Sequence, residues 1–429
     1  MKIKTLDINK RNFNKDLLNH LALKLESSKT IESSVTQILD DIKKNKDKAL
    51  IKLANKYDNT AYKKVSESKV SKSEIADAYA DISKQALSNL KKAIINIKRF
   101  SKKQVLKSWS MKINGSILGE KVSAIERVGI YVPGGKASYP STVLMNAIPA
   151  KTAGVKDITM VCPPINGKLD PLVLVAADLC KVDKIYKIGG AHAIGALAYG
   201  TETIKQVYKI VGPGNIYVAT AKRKVFGTVG IDSFAGPSEI LIIADKHTSS
   251  ECIAIDMFAQ AEHDEMAQSI LLTTSSKLIL DVNKKIDSMI KNQQRKDIIQ
   301  KSLRSRGLFI KVKTQSDILD IANRIAPEHL EILGYKKLKL PQKINNAGAI
   351  FIGESSPEVF GDYCAGPNHV LPTSGAAKYA SPLGVYDFLK RSSMMQISKT
   401  HAKELSKIAI SIADCEGLYS HSESAKYRK

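Results

Sequence analysis

The 429-residue chain has few of the features that define specialised protein classes. Its five cysteines are odd in number and form no C-x-x-C pair, which argues against a disulfide or zinc–thiolate framework and favours reduced thiols. No apolar run approaches the roughly 20 residues that a membrane span needs. Residues 1–15 contain no apolar core of a secretory signal. We therefore expect a cytoplasmic protein that does not enter membranes.

Aromatic residues are also scarce, at 6%, whereas positive charge is abundant. The chain has 66 Lys and Arg against 42 Asp and Glu, a net charge of +24. Most of these cations are lysines spread along amphipathic stretches, whereas nucleic-acid sites favour clustered arginines and aromatic stacking. We therefore expect no nucleic-acid partner and keep a basic RNA-binding protein only as a third alternative. The charge favours solubility and the attraction of small anions.

The chain from residue 125 onward alternates short β-rich runs with Gly/Pro turns and helix patterns. This alternation is typical of βαβ units and predicts an α/β fold with parallel sheets. Residues 248–251 form a capping-box pattern that predicts a helix running to about His263. Residues 30–110 have helical periodicity, and the segment from Leu383 predicts a small helical appendage. The predicted strands cover residues 127–132, 158–162, 184–188, 207–211, 239–244, 269–273, 308–312 and 347–353.

Three glycine-rich turns follow predicted strands, at residues 131–135, 189–195 and 212–215. A strand, a glycine turn and a helix N-terminus together can hold a phosphate through backbone N–H groups. None of the three has the G-x-G-x-x-G spacing, and the chain has no Walker A sequence. Plain tight turns and cofactor sites therefore both remain open for these segments.

Histidines and carboxylates supply the candidate metal ligands and acid–base groups. Gln260 and His263 are three residues apart in a predicted helix, so both lie on one face, and their donor atoms suit Zn²⁺ or Mn²⁺. A solvated helix end is the alternative for that pair. Glu328 and His329 form an acid–base pair at a predicted turn. The turn-rich loop at residues 361–369 carries a further Asp and His.

Seven motifs occur in an order that resembles histidinol dehydrogenase, from about residue 25 to the C-terminal tail. They are ERVGIYVPGG at 126–135, GPGN at 212–215, AGPSE at 235–239, QAEH at 260–263, APEHLE at 326–331, GDY through NHVLPT at 361–373, and EGLYSH at 416–421. The resemblance implies the last step of histidine biosynthesis. L-Histidinol would be oxidised to L-histidine with two NAD⁺, through an aldehyde that stays bound.

The resemblance also implies roles for individual residues. The zinc ligands, which also contact substrate, would be Gln260, His263, Asp362 and His421. One zinc ion per subunit is expected, with manganese as the alternative. The acid–base pair would be Glu328, which activates water, and His329, which takes the alcohol proton and contacts substrate. Further substrate contacts would be Ser238, His369 and Glu416. Cofactor contacts would be Tyr131, Asn215 and His192.

Position 192 departs from the family pattern, which usually has Gln there. A neutral imidazole donates one hydrogen bond and accepts one, so it can replace an amide, and its protonation would add a charge near the pyrophosphate. Two other mechanisms stay open. Cys162 could add to the aldehyde as a thiol, or Glu328 and His329 could activate a metal-bound water in a zinc hydrolase.

The resemblance implies two incomplete Rossmann-like domains within the α/β fold. A discontinuous domain of residues 26–130 and 239–380 would bind zinc and substrate, and an inserted domain of residues 131–238 would contact NAD. Residues 1–25 would form an N-terminal arm and residues 381–429 a tail domain. The resemblance also implies a homodimer in which this tail crosses to the partner subunit, so that the active sites are shared.

Overall fold

The computed structural model describes residues 3–22, 29–134, 139–233, 236–335 and 339–428. The strands are β1 Lys4–Asp7, β2 Trp109–Ile113, β3 Ser116–Ala124, β4 Arg127–Tyr131, β5 Asp157–Val161, β6 Lys184–Tyr186, β7 Lys209–Val211, β8 Gly230–Ile231, β9 Glu239–Ala244, β10 Gln268–Thr273, β11 Leu308–Lys311, β12 His329–Leu333, β13 Ala349–Ile352 and β14 Leu389–Gln396. Each of the eight predicted strand runs overlaps one of these strands.

Helices separate most of the strands. They are α1 Phe13–Leu21, α2 Lys29–Tyr57, α3 Lys72–Asp81, α4 Lys84–Lys102, α5 Pro140–Ala153, α6 Pro171–Leu179, α7 Gly190–Tyr199, α8 Ile216–Val225, α9 Ser250–Ala261, α10 Ser276–Met289, α11 Lys296–Arg306, α12 Gln315–Ile325, α13 Leu340–Lys343, α14 Glu358–Tyr363, α15 Lys399–Cys415 and α16 Tyr419–Lys426. Short 3₁₀ turns lie at Val65–Ser68, Ile290–Asn292, Ala376–Lys378 and Val385–Phe388. No helix of the described ranges has the length and apolar character of a membrane span.

Two parallel sheets confirm the predicted α/β class. One has six strands in the order β1-β11-β10-β9-β12-β13, and the other has five in the order β6-β5-β4-β7-β8. In the first sheet every residue of β9, β10 and β12 is buried. Such strands need helices on both faces, and two separate apolar cores lie against this sheet. Helices α9 to α12 connect the strands β9 to β12 of this sheet.

Helices α2, α3 and α4 share apolar cores with the five-stranded sheet and its helices. Leu39 and Leu50 of α2 pack with Ile194 of α7, and Ile97 of α4 packs with Leu144 of α5. The N-terminal strand β1, in contrast, adds an edge to the six-stranded sheet. The domain boundaries expected from the sequence stay a prediction.

Local details differ from expectation at three places. Helix α9 is capped by Ser249, whose hydroxyl accepts from the Cys252 backbone N–H, while the Thr248 hydroxyl donates to the Leu333 carbonyl. The helix ends at Ala261, so His263 lies just beyond it. The C-terminal segment is not purely helical, because β14 pairs antiparallel with β3, and β3 with β2, in a third sheet.

Candidate active site

A cavity of about 260 Å³ is lined by residues next to strands of both parallel sheets. Ser238, Glu328 and His329 reach it from the amino ends of β9 and β12, and Pro133 and Gly214 reach it from loops at the carboxyl ends of β4 and β7. The carboxyl ends of parallel strands are the usual place for ligands in open α/β sheets. Here loops from both sheets close over one site.

His329 occupies the first position of β12, not the predicted turn, and is fully buried. Its Nδ1 lies 3.1 Å from the Glu239 carbonyl oxygen and donates to it, while Nε2 lies 3.3 Å from Asp362 Oδ1. Burial lowers the pKa of His329, but the carboxylates of Glu328, Glu358 and Asp362 outweigh it and raise that pKa well above 6.5. Both ring nitrogens face oxygen acceptors, so the imidazole holds two protons in this arrangement and must release one before it can act as a base.

Glu328 is held differently from its neighbour. Its Oε2 accepts a hydrogen bond of 2.8 Å from the Glu239 backbone N–H. Burial raises the pKa of Glu328 to about 8, although the nearby His329 opposes that rise. A carboxyl group with a pKa near neutrality can exchange a proton with a water molecule during catalysis.

Three of the four expected zinc ligands lie together at this cavity: Gln260, His263 and Asp362. Gln260 is 1% exposed, and neither atom of its amide has a hydrogen-bond partner among the residues that the structure describes. Burying an unpaired amide is costly, so this side chain fits a ligand that is bound in the working enzyme. Burial lowers the pKa of His263, which keeps its imidazole neutral, as metal binding requires.

Asp362 completes the donor set. Its burial raises its pKa, but the hydrogen bond and charge of His329 lower that pKa below its usual range. An amide oxygen, an imidazole and a carboxylate fit zinc and leave room for a further ligand. No group of three or more His, Cys, Asp and Glu side chains suited to a metal occurs in the ranges that the structure describes.

His369 and Ser238 also line this cavity, as the sequence predicted for substrate contacts. The Nδ1 of His369 lies 2.9 Å from the Asp362 carbonyl oxygen and donates to it. Burial lowers the pKa of His369, so its ring is neutral. The Nε2 atom is then an acceptor available to a ligand.

A second cavity, of about 610 Å³, adjoins the first, and Pro133 lines both. Tyr131, His192 and Asn215, the three expected cofactor contacts, all line it. The Tyr131 hydroxyl accepts from the Gly190 backbone N–H at 3.2 Å, at the N-terminus of α7. Asn215 caps α8 through its Oδ1, which leaves its amide N–H groups free to donate. The larger cavity therefore ends at two helix N-termini.

Glu416 and His421 do not join the other expected residues. Glu416 lies at the end of α15 and His421 in α16; both side chains are exposed, and neither lines either cavity. Cys162 also lies outside both cavities, and burial raises the pKa of its thiol to about 12. A neutral thiol of that kind is a poor nucleophile.

Sequence reasoning missed a buried ion pair between Lys222 and Asp232, which are 3% and 4% exposed. Lys222 Nζ donates to the Gly212 carbonyl at 2.9 Å, and Asp232 Oδ2 accepts from the Gly212 N–H at 2.7 Å. Gly212 has φ +107°, and an added Cβ would lie 2.1 Å from the Tyr131 carbonyl oxygen. The glycine turn was visible in the sequence, but its partners 10 and 20 residues further on had no recognisable spacing.

Comparison with known proteins agrees with this geometry. A family model described as histidinol dehydrogenase matches residues 22–429. Histidinol dehydrogenase of Nitrosomonas europaea is 48% identical over 429 residues, 100% of this chain and 99% of that protein. The Cupriavidus pinatubonensis enzyme is 47% identical, over 99% and 97%. A crystal structure of histidinol dehydrogenase from Elizabethkingia anophelis superposes with a TM-score of 0.94 at 34% identity, covering 99% of this chain and 98% of that one. The chain belongs to the histidinol dehydrogenase family.

Proposed function

We propose that this enzyme oxidises L-histidinol to L-histidine through bound histidinal and uses two NAD⁺. The observation that carries the proposal is the arrangement of the two cavities. An acid–base pair and three potential zinc ligands line the smaller cavity, and the larger, cofactor-sized cavity meets it at Pro133. A dinucleotide in the larger cavity can therefore extend its reactive ring to a substrate in the smaller one.

In the first step the alcohol would lose a proton and a hydride, and bound NAD⁺ would supply the hydride acceptor. His329 lines the cavity and, once its Nε2 proton has been released, would accept the hydroxyl proton, and the surrounding carboxylates would stabilise the resulting imidazolium. In the second step Glu328 removes a proton from the water that adds to the aldehyde. The hydrate then loses a second proton and hydride to give the acid. Keeping the aldehyde enclosed between the steps prevents its escape.

Gln260, His263 and Asp362 would hold one zinc ion, with manganese as the alternative. When bound, the metal would supply a fixed charge that grips the imidazole and amine of histidinol and leaves the carbinol carbon free to react. Ser238 and His369 line the same cavity and would orient the substrate. The orphaned amide of Gln260 is the feature of this chain that best supports such a ligand set.

His421 of a second copy would complete the zinc site, and Glu416 of that copy would contact the substrate. Both residues are exposed and away from their own cavity. Large apolar side chains are also exposed on strands β2 and β14 and on helix α15, which precedes α16: Trp109, Met394, Met395, Ile408 and Ile412. Exposed apolar side chains of this kind favour association with another protein surface. We therefore propose a homodimer with shared active sites, in a reducing cytoplasm where the five unpaired cysteines remain thiols.

A zinc hydrolase that uses Glu328 and His329 to activate metal-bound water is the alternative. The larger cavity favours the dehydrogenase, because a hydrolase has no use for a dinucleotide site. Absorbance of NADH in the presence of zinc, histidinol and NAD⁺ separates the two. Two NADH per histidinol consumed are expected, and hydrolysis of ester or amide substrates without NADH would reject the proposal.

A further inference from the structure

The larger cavity contains a buried pair, His192 and Asp58, whose second member has no role in the assignments above. His192 Nε2 lies 2.9 Å from Asp58 Oδ2, and the two side chains are 1% and 5% exposed. Asp58 Oδ2 also accepts from the Gly189 backbone N–H at 3.0 Å. The Tyr57 ring stacks on the imidazole, with centroids 6.1 Å apart and planes inclined by 25°. One edge and one face of the His192 ring are thus fixed.

Asp58 determines which nitrogen of His192 carries the proton. A carboxylate can only accept hydrogen bonds, so Nε2 must be the donor. In the part of the chain that the structure describes, no protein group forms a hydrogen bond with Nδ1. The Nδ1 edge lies beside Gly190, where an added Cβ would be 3.3 Å away. A proton on Nδ1 would be a buried donor without an acceptor, which is unfavourable. The geometry therefore favours a proton on Nε2, with Nδ1 left as an acceptor.

We propose that Asp58 is a positioning residue of the cofactor site. It holds His192 in the Nε2–H tautomer, so that Nδ1 accepts a hydrogen bond from an O–H or N–H group of the dinucleotide. This proposal rests on the proposed function, which assigns the cofactor to this cavity. A ribose hydroxyl or an amide N–H suits the acceptor, whereas a phosphate oxygen, itself an acceptor, does not.

The same arrangement accounts for the departure from the family pattern at position 192. A glutamine there would offer its amide N–H to Asp58 and its carbonyl oxygen to the ligand. A histidine in the Nε2–H tautomer presents the same donor and the same acceptor. The two residue types are then interchangeable only while Asp58 remains a carboxylate.

Exchanging Asp58 for leucine tests this dependence, because leucine has a similar size and no acceptor. Asparagine would not serve, since one oxygen, Oδ2, accepts from both the Gly189 N–H and His192 Nε2, and an amide oxygen at that position could keep both bonds. Nitrogen NMR of enzyme labelled in its histidine rings reports the tautomer directly. The His192 signals are those that disappear in His192→Gln. We expect Nε2–H alone in the unmodified enzyme and a mixture of the two tautomers in Asp58→Leu.

Steady-state kinetics with zinc-loaded enzyme test the consequence for the cofactor. Asp58→Leu and His192→Ala are each expected to raise the KM for NAD⁺ by about 2- to 12-fold, the factor for one hydrogen bond, and to leave the KM for histidinol unchanged. His192→Gln should restore the KM for NAD⁺ relative to His192→Ala. Asp183→Leu is the control, since Asp183 accepts from the Ile158 N–H and Lys151 outside the cavity.

The possible results separate the two proposals. A proton on Nδ1 in the unmodified enzyme, or Nε2–H alone in Asp58→Leu, would overturn the positioning role while leaving the cofactor site intact. Unchanged KM values for NAD⁺ in both Asp58→Leu and His192→Ala, with the expected tautomers, would instead overturn the assignment of this cavity to NAD⁺ and with it the ligand of Nδ1. Thermal denaturation of each variant verifies that it is folded.

Discussion

Glu328 and His329 are neighbours in the chain but have different surroundings, so substitutions can separate their roles. Glu328→Gln keeps the acceptor for the Glu239 N–H but cannot take a proton from water. We expect the oxidation of added histidinal to fall by about 10²–10⁴-fold, the usual loss for a general base. Oxidation of histidinol to the aldehyde should fall far less, because it depends on His329.

Single-turnover kinetics with histidinol and with histidinal measure the two steps apart. Glu354→Gln, an exposed position outside both cavities, is the control and should alter neither rate. Equal damage to both steps in Glu328→Gln would reject the division of labour.

Among the individual site residues, those that belong to contiguous motifs could be predicted from the sequence. Gln260, His263, Asp362 and the acid–base pair were predicted and do line one cavity. The buried Glu358, whose Oε2 lies 3.7 Å from His329 Nδ1, was not predicted. A single glutamate at the first position of a short helix has no distinguishing sequence pattern. Its proximity arises only when β12 and α14 pack together.

Among the structural elements, the turn at Gly212 depends on a single ion pair. Lys222→Met would leave Asp232 buried without a cation, and breaking such a pair costs about 3–5 kcal/mol of unfolding free energy. Adding Asp232→Asn removes the stranded charge and retains an acceptor for the Gly212 N–H. The double variant is therefore expected to be more stable than Lys222→Met alone.

Urea denaturation of the two variants measures the difference. The exposed pair of Lys301 and Glu265 is the control, and Lys301→Met should change stability little. A double variant that is less stable than Lys222→Met would show that the pair is not the source of the loss.

Two carboxyl groups, Asp256 of helix α9 and Glu331 of strand β12, lie next to each other. Burial raises the pKa of both, and the charge of Asp256 raises that of Glu331 further, to about 8. In the folded protein Glu331 therefore stays protonated above its ordinary pKa of 4.5. Between that value and its raised pKa the folded state binds more protons than the unfolded state, so stability falls as pH rises.

Glu331→Gln removes this titration, because the amide N–H can donate to Asp256 and the amide oxygen can accept from the Glu358 N–H. The melting temperature of the variant relative to the unmodified enzyme should therefore increase from pH 5 to pH 8.5. Thermal denaturation across this range measures it, with the exposed Glu251→Gln of the same helix as control. A difference that is independent of pH would contradict the assignment.

The strands β12 and β14 were not predicted from the sequence. Their residues lack a continuous apolar run or another pattern that is typical of strands. Strand β12 reads HLEIL, and the glutamate at its centre interrupts the apolar run by which a buried strand is recognised. Strand β14 is polar and exposed along most of its length, and it forms because β3 offers a free edge. Buried apolar runs such as β9, in contrast, were predictable from composition alone.

For the whole molecule, the fold depends on contacts across the full length of the chain. Strand β1 pairs with β11, about 300 residues further on, and the antiparallel sheet joins β3 to β14. No local sequence pattern predicts such pairings. The fold of the whole chain was instead implied by the resemblance, which rests on the order of the family motifs. The proposed homodimer places the tail at the active site of the partner subunit, and a mixing experiment can test this.

His421 lies 158 positions beyond His263 in the chain, exposed and away from the cavity that His263 lines. If the partner subunit's tail completes each zinc site, His263→Asn and His421→Asn enzymes should each be nearly inactive, since loss of a ligand weakens metal binding. Unfolding, mixing equal amounts and refolding gives mixed dimers as half of the population under random pairing. Each mixed dimer contains one site with both native histidines, so about a quarter of the unmodified activity should return.

Refolding each variant alone is the control. If both histidines came from one chain, every site would lack one of them. Mixed dimers verified by mass spectrometry without recovered activity would reject the shared site.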